Sequence, residues 1–149
     1  MKNDYSFWEW KPLVSFGVFR FGASLGCYKK LRLIYLNEES TIYEEKQHQE
    51  LNDYAYTILK FRYSLRIYAD YNKIIHSVSS EEMFFYNGID LLNCSIEEIV
   101  QILDKNYDTL DEMEVLGEIQ HSYFFDQLGL CVWEVNKRVI KIVASTAYE

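Results

Sequence analysis

Histidine and cysteine are the residue types best suited to chemistry in this chain, and each occurs three times among its 149 residues. The histidines are His48, His76 and His121, and no two have the sequence spacing of metal ligands. His48 with a nearby carboxylate would form an acid/base couple, but a solvated surface histidine is the favoured interpretation. We therefore predict no catalytic residue, no metal site and no cofactor, and we do not expect an enzyme.

The cysteines predict a reducing compartment rather than a disulfide framework. Cys27, Cys94 and Cys131 are odd in number and widely spaced. Cys94 precedes a helix start, whose positive end can lower a thiol pKa, but a small packing residue is favoured there. No run of signal-peptide type and no membrane-spanning segment is visible. We expect a cytoplasmic protein with no role at a membrane.

The helix that follows Cys94 is the clearest element in the sequence. Ser95 and Glu98 have the spacing of a capping box, in which each side chain satisfies a free backbone N–H. Apolar residues then recur at helical spacing and predict one buried stripe. Its members are Ile96, Ile99, Val100 and Leu103.

Two pairs of segments resemble each other in the same order. Gly17–Leu31 aligns without gaps with Gly88–Ile102, and Leu65–Val78 aligns with Leu130–Val143. The second pair consists of alternating apolar runs around a polar turn, which is typical of β-hairpins. We predict one domain over residues 1–149, with repeat 1 at about 14–80 and repeat 2 at about 85–145. The predicted fold class is α+β: an antiparallel sheet with two helix-plus-β-hairpin repeats related by internal duplication.

Charge favours a protein partner. The net charge is −8, which argues against direct binding of nucleic acid, and a basic protein is a natural partner. Acidic residues concentrate in the connection between helix and hairpin in both repeats. We predict that the two connections form one acidic, tyrosine-bearing surface, although merely solvated loops would give the same pattern. The predicted partner-binding residues are Tyr43, Glu44, Glu45, Glu50, Asp53, Tyr54, Tyr107, Asp108, Asp111, Glu112 and Glu114.

Several motifs resemble those of small bacterial immunity proteins, which protect cells from the toxins of polymorphic or contact-dependent growth-inhibition systems. The residues that carry this resemblance are Gly17, Phe21, Gly22, Ser24, Tyr86–Asn93, Ser95, Glu97, Glu98 and Leu128–Leu130. The helix-then-hairpin unit is also similar to the repeat of the beta-lactamase inhibitor protein and to a small outer-membrane lipoprotein. No lipoprotein signal is visible, so we do not expect that last role.

The resemblance implies a protein that binds and blocks one toxin domain, often a nuclease, in the cytoplasm of the producing cell. The acidic and aromatic composition agrees in direction, because an inhibitor of a basic nuclease needs negative charge and aromatic anchors. The alternative is a cytosolic small-ligand-binding or adaptor protein without catalytic activity. No small-molecule substrate is expected under the first interpretation.

Overall fold

The fold, seen in a computed structural model that describes residues 6–36, 54–58 and 64–146, is mostly antiparallel β. The expected α+β class with helix-plus-hairpin repeats is therefore wrong. Thirteen strands lie in the described residues, against one α-helix of 8 residues, α1 (Ile96–Leu103). The difference arises because segments that the sequence suggests as helix or acidic connection form strands.

Eight of these strands form one antiparallel sheet. Its spatial order is β10-β11-β12-β13-β7-β6-β5-β4, so the two halves of the chain contribute four neighbouring strands each. The first-half strands are β4 (Leu33–Tyr35), β5 (Tyr54–Ile58), β6 (Leu65–Ala69) and β7 (Ile75–Ser80). The second-half strands are β10 (Thr109–Val115), β11 (Glu118–Phe125), β12 (Leu130–Val135) and β13 (Arg138–Ser145).

The two four-stranded halves meet where β7 pairs with β13. This pairing is symmetric about one residue pair, so exchanging the two strands gives the same register. Ser79 lies opposite Val143, with Val78 opposite Ala144 and Ser80 opposite Ile142. The hairpins β6–β7 and β12–β13, both expected from sequence, shift register at corresponding points, Tyr68/Ala69 and Trp133/Glu134. The halves thus share one strand order, while the internal duplication inferred from sequence stays a prediction.

The register corrects the sequence alignment of the two hairpins by one residue. Cross-strand partners place Ile75 in correspondence with Val139 and Val78 with Ile142, whereas the ungapped alignment pairs each with the next residue. The turn of the second hairpin is one residue shorter, which accounts for the offset. All four side chains are buried, as the register requires.

Short elements cover the inner face of the large sheet. They are the strands β1 (Trp10–Lys11), β2 (Ser15–Phe16), β3 (Phe19–Arg20), β8 (Phe85–Tyr86) and β9 (Ile89–Asp90), four 3-10 segments and α1. The 3-10 segments are Ser6–Trp8, Leu25–Leu31, Leu91–Asn93 and Asp126–Leu128. Aromatic rings from these elements pack together in the core. Phe16, for example, stacks on Phe84 with ring centroids 4.8 Å apart.

The start of α1 has the predicted capping box. The Glu98 backbone N–H donates to Ser95 Oγ over 3.1 Å, and the Ser95 N–H donates to Glu98 Oε1 over 3.1 Å. The predicted stripe faces the core, with Ile96 and Ile99 buried and Val100 and Leu103 packed against it.

The corresponding segment of the first half is not an α-helix. It begins at its own cap, Ser24, but consists of 3-10 turns over Leu25–Leu31, with a non-helical residue at Tyr28. Gly26 lies inside the segment, and Cys27 stands where a capping box needs Glu or Gln. Arg32 then takes a left-handed conformation (φ 53°), and the chain enters β4 rather than continuing as the predicted helix.

Gly17 joins the N-terminal segment to the first small hairpin. Its φ is +61°, its N–H donates to the Glu9 carbonyl over 2.7 Å, and a Cβ at this position would overlap the Phe7 carbonyl. Gly88 holds the corresponding turn of the second half at φ +80°, but a Cβ there would meet open space. Only the first of the two glycines is therefore required by a neighbouring backbone as well as by its own conformation.

Candidate functional site

The most exposed part of the described sheet is the β10–β11 hairpin, which we call the acidic arm and define as residues 109–120. β10 is an edge strand, because β11 is its only partner among the described strands. Six of its seven residues are exposed, and Asp111, Glu112 and Glu114 lie along it. The arm contains no Lys, Arg or His, so its field is uniformly negative.

Large apolar side chains are exposed among these carboxylates. Leu110 is 45% exposed, Met113 and Ile119 are each 52% exposed, and Leu116 at the turn is 101% exposed. A folded protein normally covers such residues when they cluster, and exposed apolar groups within a polar rim are typical of protein interfaces. The acidic arm therefore combines apolar contact area with negative charge.

The base of the acidic arm is fixed by Tyr107 and Asp108. The Tyr107 ring packs edge-on against Tyr123, with centroids 4.8 Å apart, and 38% of Tyr107 stays exposed. Asp108 accepts a hydrogen bond from the Asp126 backbone N–H over 2.7 Å, and its own N–H donates to the Phe124 carbonyl. Asp108 thus has a structural role, whereas Tyr107 also presents exposed surface.

A cross-strand polar cluster ties the arm to β12. His121 Nε2 lies 3.2 Å from Glu112 Oε1, and its Nδ1 lies 3.7 Å from Glu134 Oε1. Glu134 is only 6% exposed, and the Tyr123 hydroxyl donates to its Oε1 over 3.1 Å. Burial, followed by the hydrogen bond and negative charge of Glu134, raises the pKa of Tyr123 to about 12.

Histidine between two carboxylates is also the pattern of a general base with an orienting acid, but this geometry favours a link between strands. Both ring nitrogens of His121 face carboxylates, so neither is directed at a nucleophile or at open space for a substrate. Sequence reasoning assigned no role to His121, Tyr123 or Glu134. Their signal is cross-strand register, since His121 lies opposite Glu112 on one side and Glu134 on the other.

The predicted partner-binding residues that the structure describes lie at two opposite edges of the large sheet. Tyr54 begins β5 near the far edge of the sheet and clusters with Tyr35 and Tyr56. Tyr107 and the acidic arm lie at the opposite edge, with β12, β13, β7 and β6 between β11 and β5. Within the described residues, the predicted surface reduces to Tyr107, Asp108, Asp111, Glu112 and Glu114. The residues outside the description are Tyr43, Glu44, Glu45, Glu50 and Asp53.

Neither Cys94 nor Cys131 is an activated thiol. Burial, with smaller contributions from Glu98 and Asp90, raises the pKa of Cys94. Burial raises the pKa of Cys131 to about 12. The positive end of α1 therefore does not produce a reactive thiolate at Cys94. In the described part of the chain, no group of three His, Cys, Asp or Glu side chains is placed to hold a metal ion.

No helix among the described residues has the length and apolar character needed to cross a bilayer. No protein-family model, no curated protein and no solved structure matches this chain, so the site is described by its geometry alone.

Proposed function

We propose that this protein binds a basic protein domain through the acidic arm and blocks it, as an immunity protein blocks its cognate toxin. The observation that carries the proposal is the combination of four carboxylates and four exposed apolar side chains on one edge hairpin. The carboxylates are Asp111, Glu112, Glu114 and Glu118, and the apolar residues are Leu110, Met113, Leu116 and Ile119.

The edge position adds a mode of binding. An edge strand has free backbone donors and acceptors, and a partner strand can add to them while alternate side chains supply specificity. Negative charge on β10 disfavours pairing with a second copy of the same acidic strand and favours a basic strand instead. The anchored base, through Tyr107 and Asp108, keeps the arm ordered before binding and so lowers the entropy cost of association.

The kinetic roles of the two residue types differ. Solvated rim charges mostly accelerate encounter with an oppositely charged partner, whereas buried apolar anchors slow dissociation. A nuclease is the favoured kind of target, because the cleft that receives phosphate is basic. A cytoplasmic location and the absence of catalysis belong to the same proposal.

The test first isolates the protein that copurifies with this chain. That partner is then expressed with and without this chain, and growth is the first measurement. Surface plasmon resonance then compares the variant Asp111→Lys/Glu112→Lys with the control Glu81→Lys/Glu82→Lys, in which two exposed carboxylates elsewhere are reversed. We expect slower association for the arm variant alone, with the largest difference at low salt. Met113→Ser/Leu116→Ser should instead raise the dissociation rate.

The site would be refuted by unchanged growth protection in both arm variants, together with an unchanged association rate in the charge variant and an unchanged dissociation rate in the apolar variant. A partner that binds through the arm but has no toxic activity would instead identify an adaptor, and would refute the immunity role alone.

A further inference from the structure

A second feature, at the opposite end of the molecule, is a groove of about 320 Å³ in the first half of the chain. It lies between the 3-10 segment Leu25–Leu31, the turn before β7 and the strands β4 and β5. Its apolar and aromatic lining comes from Leu25, Tyr28, Leu33 and Tyr56, and its charged lining from Lys29, Arg32 and Lys73.

The described lining of this groove is opposite in charge to the protein as a whole. The net charge is −8, yet three cations and no carboxylate are found among the described residues that line the groove. Within the described residues, none of the three cations forms an ion pair with a carboxylate. Two of them, Arg32 and Lys73, are held on left-handed backbone at φ 53° and 64° at the ends of their turns. Cations gathered without a counter-charge in one concave site favour an anionic ligand.

The second half of the molecule has a position that corresponds to this groove, and there it is covered. Tyr56 lies opposite Ile67, and Tyr123 lies opposite Val132, so the two tyrosines occupy corresponding positions. In the second half, α1 lies beside Tyr123, and Tyr123 is 8% exposed. In the first half, Tyr56 is only partly buried and borders the groove.

The two halves differ in the segment that follows the capping serine, which is Leu25–Leu31 in the first half and α1 in the second. With Ser24 aligned to Ser95, Lys29 and Arg32 fall on Val100 and Leu103, which pack against the core in the second half. The sequence alignment thus pairs two cations that line the groove in the first half with two apolar residues that pack on the core in the second half. Replacing apolar cover by charge costs packing energy, so the opening calls for a reason other than stability.

From this contrast we propose that the groove binds a small organic anion with a planar ring, of the nucleoside-monophosphate class. Lys29, Arg32 and Lys73 receive the phosphate, and Tyr28 and Tyr56 contact the ring. The volume is at the lower end for small-ligand sites and fits one such molecule rather than a polymer. The Tyr28 ring is already fixed, because it packs on Phe19 at 5.0 Å and its hydroxyl accepts from the Arg20 N–H over 3.0 Å.

Isothermal titration calorimetry with adenosine 5′-monophosphate, adenosine and inorganic phosphate tests the proposal on the full chain. We expect the monophosphate to bind more tightly than either fragment, and added salt to weaken it. The variant Lys29→Val/Arg32→Leu copies the apolar cover of the second half. It should weaken binding about tenfold or more through loss of two charge-assisted contacts, without loss of stability.

The matched control is Lys137→Gln/Arg138→Gln, which removes two exposed cations at the corresponding turn of the second half with the same change in net charge. Unchanged binding in this control supports the assignment. The proposal is overturned if none of the probes binds at millimolar concentration. It is overturned equally if adenosine binds as tightly as the monophosphate, or if Lys29→Val/Arg32→Leu binds the monophosphate as tightly as the wild type does. None of these outcomes involves the acidic arm or its protein partner.

Discussion

Replacing Tyr123 by Phe should remove one hydrogen bond and leave the buried carboxylate of Glu134 with one donor fewer. Tyr123 is 8% exposed and Glu134 is 6% exposed, so water does not readily replace the lost donor. A hydrogen bond to a charged acceptor contributes about 1.5–3 kcal/mol. We expect the free energy of unfolding to fall by roughly 2 kcal/mol at neutral pH, measured by urea denaturation with tryptophan fluorescence.

The pH dependence of the same variant provides an independent measurement. The pKa of Tyr123 is near 10 in the unfolded chain and about 12 in the folded protein, so its contribution is fully present below about pH 10. Between about pH 10 and 12 the unfolded chain loses this proton first, and the free energy of unfolding falls. Two pKa units correspond to about 3 kcal/mol, of which burial accounts for the largest part and the hydrogen bond to Glu134 for a smaller part.

The informative quantity is the difference in the free energy of unfolding between wild type and variant, because it isolates the contribution of the Tyr123 hydroxyl. That difference should shrink as the pH rises above about 10. Tyr71→Phe is the control, because Tyr71 is 64% exposed and its removal should leave stability within about 0.5 kcal/mol. Equal stabilities for the two Phe variants, or a Tyr123→Phe difference that stays constant with pH, would refute the reasoning.

Two further predictions concern packing. Ile99→Ala should lower the free energy of unfolding by about 2–5 kcal/mol, whereas Leu116→Ala at the exposed turn should change it by under about 0.5 kcal/mol, both measured in urea. Equal effects would show that the α1 stripe is not core. Gly17→Ala should lower the thermal midpoint far more than Gly88→Ala, since both strain a positive φ but only the first adds a clash with the Phe7 carbonyl. Similar midpoints would contradict that close approach.

The sequence predicted those elements in which local signals and burial agree. The α1 cap depends on two side chains three residues apart, and strand β13 of the β12–β13 hairpin shows largely alternating burial. Of the predicted stripe, Ile96 and Ile99 are buried, and Val100 and Leu103 are half-buried against the core.

The strand β10 was missed because an edge strand exposes both of its faces. Six of the seven residues of Thr109–Val115 are exposed, so apolar and polar residues do not alternate along the strand. Its three carboxylates are also typical of an acidic loop. The cluster around His121 was missed for a related reason. Its members are brought together by register across three strands, which no short window of sequence contains. The groove beside Leu25–Leu31 was missed for the same reason, because its lining residues come from segments that are distant in the chain.

The seam between β7 and β13 has a consequence for the growing chain. β7, Ile75–Ser80, bears no Asp, Glu, Lys or Arg, in contrast to β10 with its three carboxylates. Until β13 has been synthesised, the nascent first half presents this uncharged edge, and with it Val78, to any other extended chain. Because the seam has the same register from both sides, two nascent first halves could pair there through β7. Folding of the second half therefore also covers the uncharged edge strand β7 of the first half, where unwanted pairing would otherwise occur.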